Sequence, residues 1–246
     1  MGEIFAVVSG KGGTGKTSLC AAIASCLAAE GARVLCVDMD IGLRNLDIAL
    51  GISELAAIPF TDLLRGNYTE ENIPEHPKIP GLYLLTAPVT ETAESVDLSR
   101  YKEFLNGVRA GFDYCLIDAP AGVGAGFRLA CTGADRILVV SGSDPASLRD
   151  AASVSALLAD RHPGSVRLVV NRVIPKLFSR MNTTVDDLMD DTGLPLLGLV
   201  PEDSSVTLAA ASGNPLILYT GKRSARACLN IARRLSGRPV PLMKLK

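Results

Sequence analysis

Apolar residues along the chain gather into short uninterrupted runs, each closed by small or acidic residues. Ile4–Val8 is closed by Ser9 and Gly10, Arg33–Val37 by Asp38 and Asp40, and Tyr114–Ile117 by Asp118. Further runs occupy Leu82–Leu85, Arg136–Val140, Val166–Val170 and Leu196–Val200. None alternates with polar residues, so each reads as a parallel strand covered on both faces. Helical spacing fills the intervals at Lys16–Glu30, Leu98–Arg109, Ser147–Arg161, Thr184–Asp190 and Lys222–Leu235, the first stopped by Gly31. This alternation predicts an α/β fold: a doubly wound, mostly parallel sheet with helices on both faces and ligands at the carboxyl ends of the strands. Asn72–Pro80, with its prolines, is expected to be a surface loop. No repeat or long linker divides the chain, so residues 1–236 read as one domain and 237–246 as a short basic and apolar tail.

Composition changes this picture little. The 246 residues, 48% of them hydrophobic, suffice for a large core, and a net charge of −1 argues against a chain coated in cations for nucleic acid. Cys20, Cys26, Cys36, Cys115, Cys131 and Cys228 lie in apolar surroundings with no C-x-x-C pair, and read as reduced core residues of a cytoplasmic chain. No run reaches the roughly 18 apolar residues of a membrane span, so membrane contact is expected to be peripheral.

Candidate chemistry concentrates after the first strand. Gly10–Thr17 fits G-x-x-x-x-G-K-[ST] between a strand and a helix, the context a phosphate loop requires. Gly12, Gly13, Thr14, Gly15 and Ser18 would surround phosphate oxygens with backbone N–H groups at a helix N-terminus. Lys16 would reach the β- and γ-phosphates and Thr17 would ligate Mg²⁺. Asp118 sits where a carboxylate holds a magnesium-bound water, and Asp40, further from its strand than Asp38, is placed to orient an attacking water. Lys11 is the unexplained residue. Two ammonium groups about 4 Å apart repel by roughly 4 kcal/mol at an effective dielectric of 20, so it is not expected beside Lys16 on the same phosphates. Either it points to solvent, or it serves the phosphates of a facing copy, as cations supplied in trans do in other nucleotide hydrolases.

"KGGTGKT" with its extra Lys11 resembles the deviant phosphate loop of the MinD/ParA family of dimeric ATPases. "DMDIGLRNLDIALG", from Asp38 to Gly51, is similar to switch I of the MinD branch, and "DAPAG", "SLRDA" and "VPED" follow in that family's order. The resemblance implies an ATP/ADP and Mg²⁺ site in which Lys11 crosses an ATP-bound homodimer, Asp40 acts on the hydrolytic water and Asp118 belongs to the magnesium site with Thr17 and Asp40. It places Asn171, Arg172, Pro201, Glu202 and Asp203 around the adenine, Asn45 at the dimer-facing switch, and Asp150 on the helix that meets MinC-type partners. The implied function is a slow, partner-stimulated ATPase switch regulating the cell-division site, with a ParA-like ATPase for DNA or cargo positioning as the alternative.

The chain departs from that family at its end. Pro239 and Pro241 interrupt "GRPVPLMKLK", leaving little of the amphipathic helix by which MinD proteins bind membrane. Beyond Asp203, however, the chain has basic but no acidic residues, and Lys222, Arg223, Arg226, Arg233 and Arg234 share one face of the last helix. That face is either simply solvated or meets an anionic surface, lipid headgroups or non-specific DNA.

Overall fold

A computed structural model describes every residue except Ala56, Asn182 and Lys244–Lys246. The seven apolar runs become β1 (Glu3–Val8), β2 (Val34–Asp38), β3 (Leu82–Leu85), β4 (Tyr114–Asp118), β5 (Arg136–Ser141), β6 (Val166–Val173) and β7 (Leu196–Pro201). They form one sheet in the order β3-β2-β4-β1-β5-β6-β7, with every neighbouring pair parallel. The helices are α1 (Lys16–Ala29), α2 (Leu46–Leu50), α3 (Phe60–Leu64), α4 (Leu98–Gly111), α5 (Ala125–Cys131), α6 (Pro145–Leu158), α7 (Pro175–Arg180), α8 (Val185–Thr192), α9 (Ser205–Ala211), α10 (Leu216–Tyr219) and α11 (Arg223–Leu235).

Alternate side chains of β1 divide the interior in two. Ile4, Ala6 and Val8 pack with Tyr101, Leu105, Phe127 and Leu148 on one face, while Phe5 and Val7 pack with Leu19, Ile23, Cys228 and Ile231 on the other. Each large apolar side chain so buried contributes about 1.5–3 kcal/mol. α1 lies between the sheet, α2 and α11 and is buried almost all round, so it lacks a polar stripe; Ser25 within it donates to Ala21 O at 2.7 Å. β1 is thus central, and the loop leaving it emerges at the middle of the sheet's carboxyl edge. All six cysteines are free and buried.

Several expectations are corrected. α6 starts at Pro145, two residues early, because Asp144 accepts from Ser147 N at 3.0 Å and caps it, and it ends at Leu158 rather than Arg161. α2, α3, α5, α7, α9 and α10 have four to seven residues, too few to display a period. Asn72–Pro80 is not simply a surface loop, since Ile73, His76 and Ile79 are buried. His76 Nδ1 accepts from Lys78 N at 3.0 Å and Ile79 N at 3.1 Å, which leaves Nε2 to donate to Leu50 O at 2.9 Å, a neutral imidazole beneath α2.

The basic face of α11 is likewise mostly spoken for. Arg233 pairs with Glu30 at 2.7 Å and Arg238 pairs with the same carboxylate. Arg234 donates to Leu197 O, Val240 O and Pro241 O at 2.7, 2.9 and 2.7 Å, fastening residues 240–241 against the domain, and Met243 packs on the α1-side core. Lys244, Leu245 and Lys246 of the expected tail lie outside the described residues. No helix among the described residues is long and apolar enough to cross a membrane.

Candidate functional site

The loop between β1 and α1 is shaped by glycines where no other residue would fit. Gly15 has φ +82°, and a Cβ there would lie 2.4 Å from Asn171 Nδ2; a Cβ on Gly10 would meet the Asp150 Cβ at 2.8 Å, so α6 approaches the loop only because Gly10 is bare. Gly15 precedes α1 as its N-cap and offers no side-chain cap, which leaves the first N–H groups of the helix for an anion. Lys16 opens that helix buried, its Nζ 3.0 Å from Asp118 Oδ1 at the end of β4.

Asp118 is fully buried. Burial raises its carboxyl to about 6, opposed by the Lys16 ammonium and the Thr17 hydroxyl. Its Oδ2 makes no hydrogen bond of normal geometry. A buried carboxylate oxygen without a donor, next to a threonine hydroxyl and an ammonium under a phosphate loop, fits a hydrated Mg²⁺ and phosphate pair. Asp38 has a different task. Buried, it accepts from Asp40 N at 2.9 Å and from Asn45 N and Leu46 N at 3.1 Å, tying both ends of the 40–46 segment to β2. Burial pushes its carboxyl up, and those three amides oppose the rise. Asp40 and Asn45 are thereby held at the mouth of a cleft of about 440 Å³ that also takes in Lys11–Ser18.

In the protomer alone Lys11 is partly exposed and is drawn to two carboxylates. Its Nζ lies 3.7 Å from Asp144 Oδ1 and 3.8 Å from Asp150 Oδ2, both on or beside the start of α6 and all three partly exposed. The reason is local: Gly10 brings α6 against the loop, and the Asp144 carboxylate, held below its ordinary value chiefly by the Ser147 hydroxyl, faces back toward Lys11. Asp150 therefore engages the phosphate loop of its own chain.

A second cavity of about 200 Å³ shares Gly15 and Ser18 with the first and runs to Asn171, Arg172 and the Pro201–Asp203 segment. The residues expected around a base are thus together, though their side chains are partly committed. Asn171 Nδ2 donates to Thr14 O at 2.8 Å. Arg172 pairs with Glu202 at 2.8 Å and donates to Gly13 O at 3.1 Å. Asp203, expected at the adenine, accepts from Ser205 N at 3.0 Å and from the Ser224 hydroxyl at 2.8 Å, joining α9 to α11. Burial works to raise its carboxyl, and those bonds outweigh it and hold it below the ordinary value.

Sequence reasoning missed Asp144, Leu43 and Ile48 at the site. "SDPAS" carried a signal for the first, since Asp followed by Pro and then Ser marks a helix start. Nothing local marked the two apolar residues, which are exposed.

The CobQ/CobB/MinD/ParA nucleotide binding domain matches residues 5–216. The septum site-determining protein MinD of Synechocystis sp. is 34% identical over 247 residues, covering 99% of this chain and 92% of that one. Among solved structures, the MinC:MinD cell division protein complex of Aquifex aeolicus superposes with a TM-score of 0.90 at 32% identity over 98% of each chain. The septum site-determining protein MinD of Pyrococcus horikoshii complexed with Mg-ADP gives 0.79 at 26% identity over 96% of each.

Proposed function

This chain belongs to the CobQ/CobB/MinD/ParA nucleotide-binding family, and from that premise we propose that it is an ATPase of the MinD kind, a switch that closes on ATP as a homodimer and governs placement of a division-inhibiting partner of MinC type. The observation that carries the reading is the Lys16–Asp118 pair beneath an open phosphate loop, with one Asp118 oxygen left without a donor. Lys16 would leave its carboxylate for the β- and γ-phosphates, the α1 N-terminus and the loop amides would bind the remaining oxygens, and Thr17 and Asp118 would hold the Mg²⁺. The metal, when bound, neutralises phosphate charge. Asp40, fixed by the Asp38 anchor, orients the water that attacks the γ-phosphorus.

Lys11 takes the trans position in this scheme. Its two carboxylate partners lie at 3.7 and 3.8 Å and are partly exposed, so leaving them costs at most about 1 kcal/mol each. A facing triphosphate offers a denser charge. Departure of Lys11 frees the partly exposed Asp144 and Asp150 where α6 meets the loop, which suits a partner that reads the closed state. Among the described residues, Lys222 at the start of α11 and Arg223 and Arg226 within it form no ion pair; near an anionic surface three cations contribute about 3 kcal/mol, so lipid contact by this helix is weak without further apolar area. The DNA-partition alternative has the same small basic surface to work with.

Calorimetric titration with ADP and Mg²⁺ tests the site: binding is expected for the wild type and lost in Lys16→Ala. Light scattering with a slowly hydrolysed ATP analogue tests the dimer. Co-sedimentation with anionic vesicles and with DNA, each with and without the analogue, decides between the surfaces. A wild-type chain that binds no adenine nucleotide would end the reading.

A further inference from the structure

Two consecutive side chains at the end of β6 hold the phosphate loop from behind. Asn171, 7% exposed, donates to Thr14 O at 2.8 Å, and Arg172 Nη1 donates to Gly13 O at 3.1 Å. In a planar trans peptide the carbonyl and the following N–H point in opposite directions. Anchoring the Gly13 and Thr14 carbonyls toward β6 therefore aims the Thr14 and Gly15 N–H groups away from it, as a phosphate cradle needs. A guanidinium on the Gly13 carbonyl also polarises that peptide and makes Thr14 N–H the stronger donor.

The arrangement is held against a cost. Arg172 has φ +56°, a left-handed conformation that an arginine enters only where its surroundings over-determine it. Here the surroundings are Glu202, whose Oε2 takes the Arg172 Nε at 2.8 Å and whose own N–H donates to Val173 O at 2.9 Å. One guanidinium thus spans from the segment lining the base-side cavity to the peptides of the phosphate loop. An arginine serving only to cover a base would have no use for the Gly13 carbonyl.

We propose that Arg172, set by Glu202, is a positioning residue for the phosphate cradle, orienting the Gly13–Gly15 peptides for the polyphosphate rather than contacting the base. The proposal rests on the nucleotide reading above. Calorimetry separates the two, with inorganic tripolyphosphate plus Mg²⁺ as a probe that has no base and ADP plus Mg²⁺ as one that has. Arg172→Ala is expected to weaken both by a similar factor, about fivefold for one charge-assisted hydrogen bond at a partly exposed site. Glu202→Gln should reproduce part of that loss, and Arg172→Lys, which keeps the charge without the fork, should recover part of it. In the ligand-free protein the Thr14 amide proton should move upfield in Arg172→Ala while amides in the middle of α1 stay in place, with the unfolding midpoint within about 2 °C of wild type. An unshifted Thr14 amide, or ADP affinity lost with tripolyphosphate affinity intact, overturns the proposal. Failure of the wild type to bind either probe instead overturns the nucleotide reading.

Discussion

Lys11→Ala separates what this side chain does in one protomer from what it does in two. In the protomer its contacts are a pair of carboxylates at 3.7 and 3.8 Å, with side-chain exposures of 40% for Lys11 and 58% and 42% for Asp144 and Asp150. Exposed pairs of this kind contribute about 0–1 kcal/mol, and a change of 1 kcal/mol in a chain of this size moves the unfolding midpoint by about 2–4 °C. A cation delivered across a dimer is worth about 10³ to 10⁵ in rate, or about 4–7 kcal/mol of barrier. The variant should therefore melt within a few degrees of wild type and bind ADP as well, yet show hydrolysis that no longer rises with protein concentration. Mixing supplies the sharper assay. Equal amounts of Lys11→Ala and Asp40→Ala chains form dimers in which one site has its own Asp40 and a borrowed Lys11, so a random mixture should recover about a quarter of wild-type turnover. Wild-type turnover by Lys11→Ala alone, or none from the mixture although mixed dimers form, would refute the trans role.

Further expectations concern the rest of the site and its supports. Burial lifts the Asp118 carboxyl from 3.8 to about 6, so between those values the native state holds a proton that the unfolded chain does not; this group's contribution to ligand-free stability is thus present below pH 4 and lost as pH rises through 6, opposite in sign to the lowered carboxyls of Asp144 and Asp203, and the Mg²⁺-dependent gain in nucleotide affinity should fade as pH drops below 6. The difference between wild type and Asp118→Asn in a pH titration of unfolding in urea reads the first sign, and ADP affinity of the wild type with and without Mg²⁺ reads the second. Asp38→Ala strands three amides of the 40–46 segment and should cost about 3 kcal/mol or more, seen as a lower urea midpoint and faster proteolysis between residues 40 and 46. Arg234→Ala releases three carbonyls, two of which regain water, so about 2 kcal/mol and about 4–8 °C in midpoint should go, with faster amide exchange over 238–243.

The sheet was legible because parallel strands buried on both faces need uninterrupted apolar runs, and Leu82–Leu85 shows the same bounds in sequence and structure. The phosphate loop was legible because its glycines, Lys16 and Thr17 answer to one ligand at one spacing. What escaped was decided between segments distant in the chain. Nothing in "SLRDA" states that Asp150 lies against Gly10, or in "RRL" that Arg234 reaches back to Leu197. Glu30 and Arg233 are 203 residues apart, so the basic stripe of α11 looked free until α1 was laid beside it. Asp203 illustrates the limit of a matched motif, since its position lines the expected cavity while its carboxylate is spent on Ser205 and Ser224.

The six cysteines have a practical consequence. With Cys26 and Cys131 raised to about 12 and Cys20, Cys36, Cys115 and Cys228 also raised by burial, none offers a thiolate to a reagent in neutral solution. A single thiol introduced as Leu43→Cys, at a side chain 67% exposed between anchored Asp40 and Asn45, would be the one position a maleimide dye could find. Fluorescence from that crest would register the arrival of a second protein surface without removing any native cysteine.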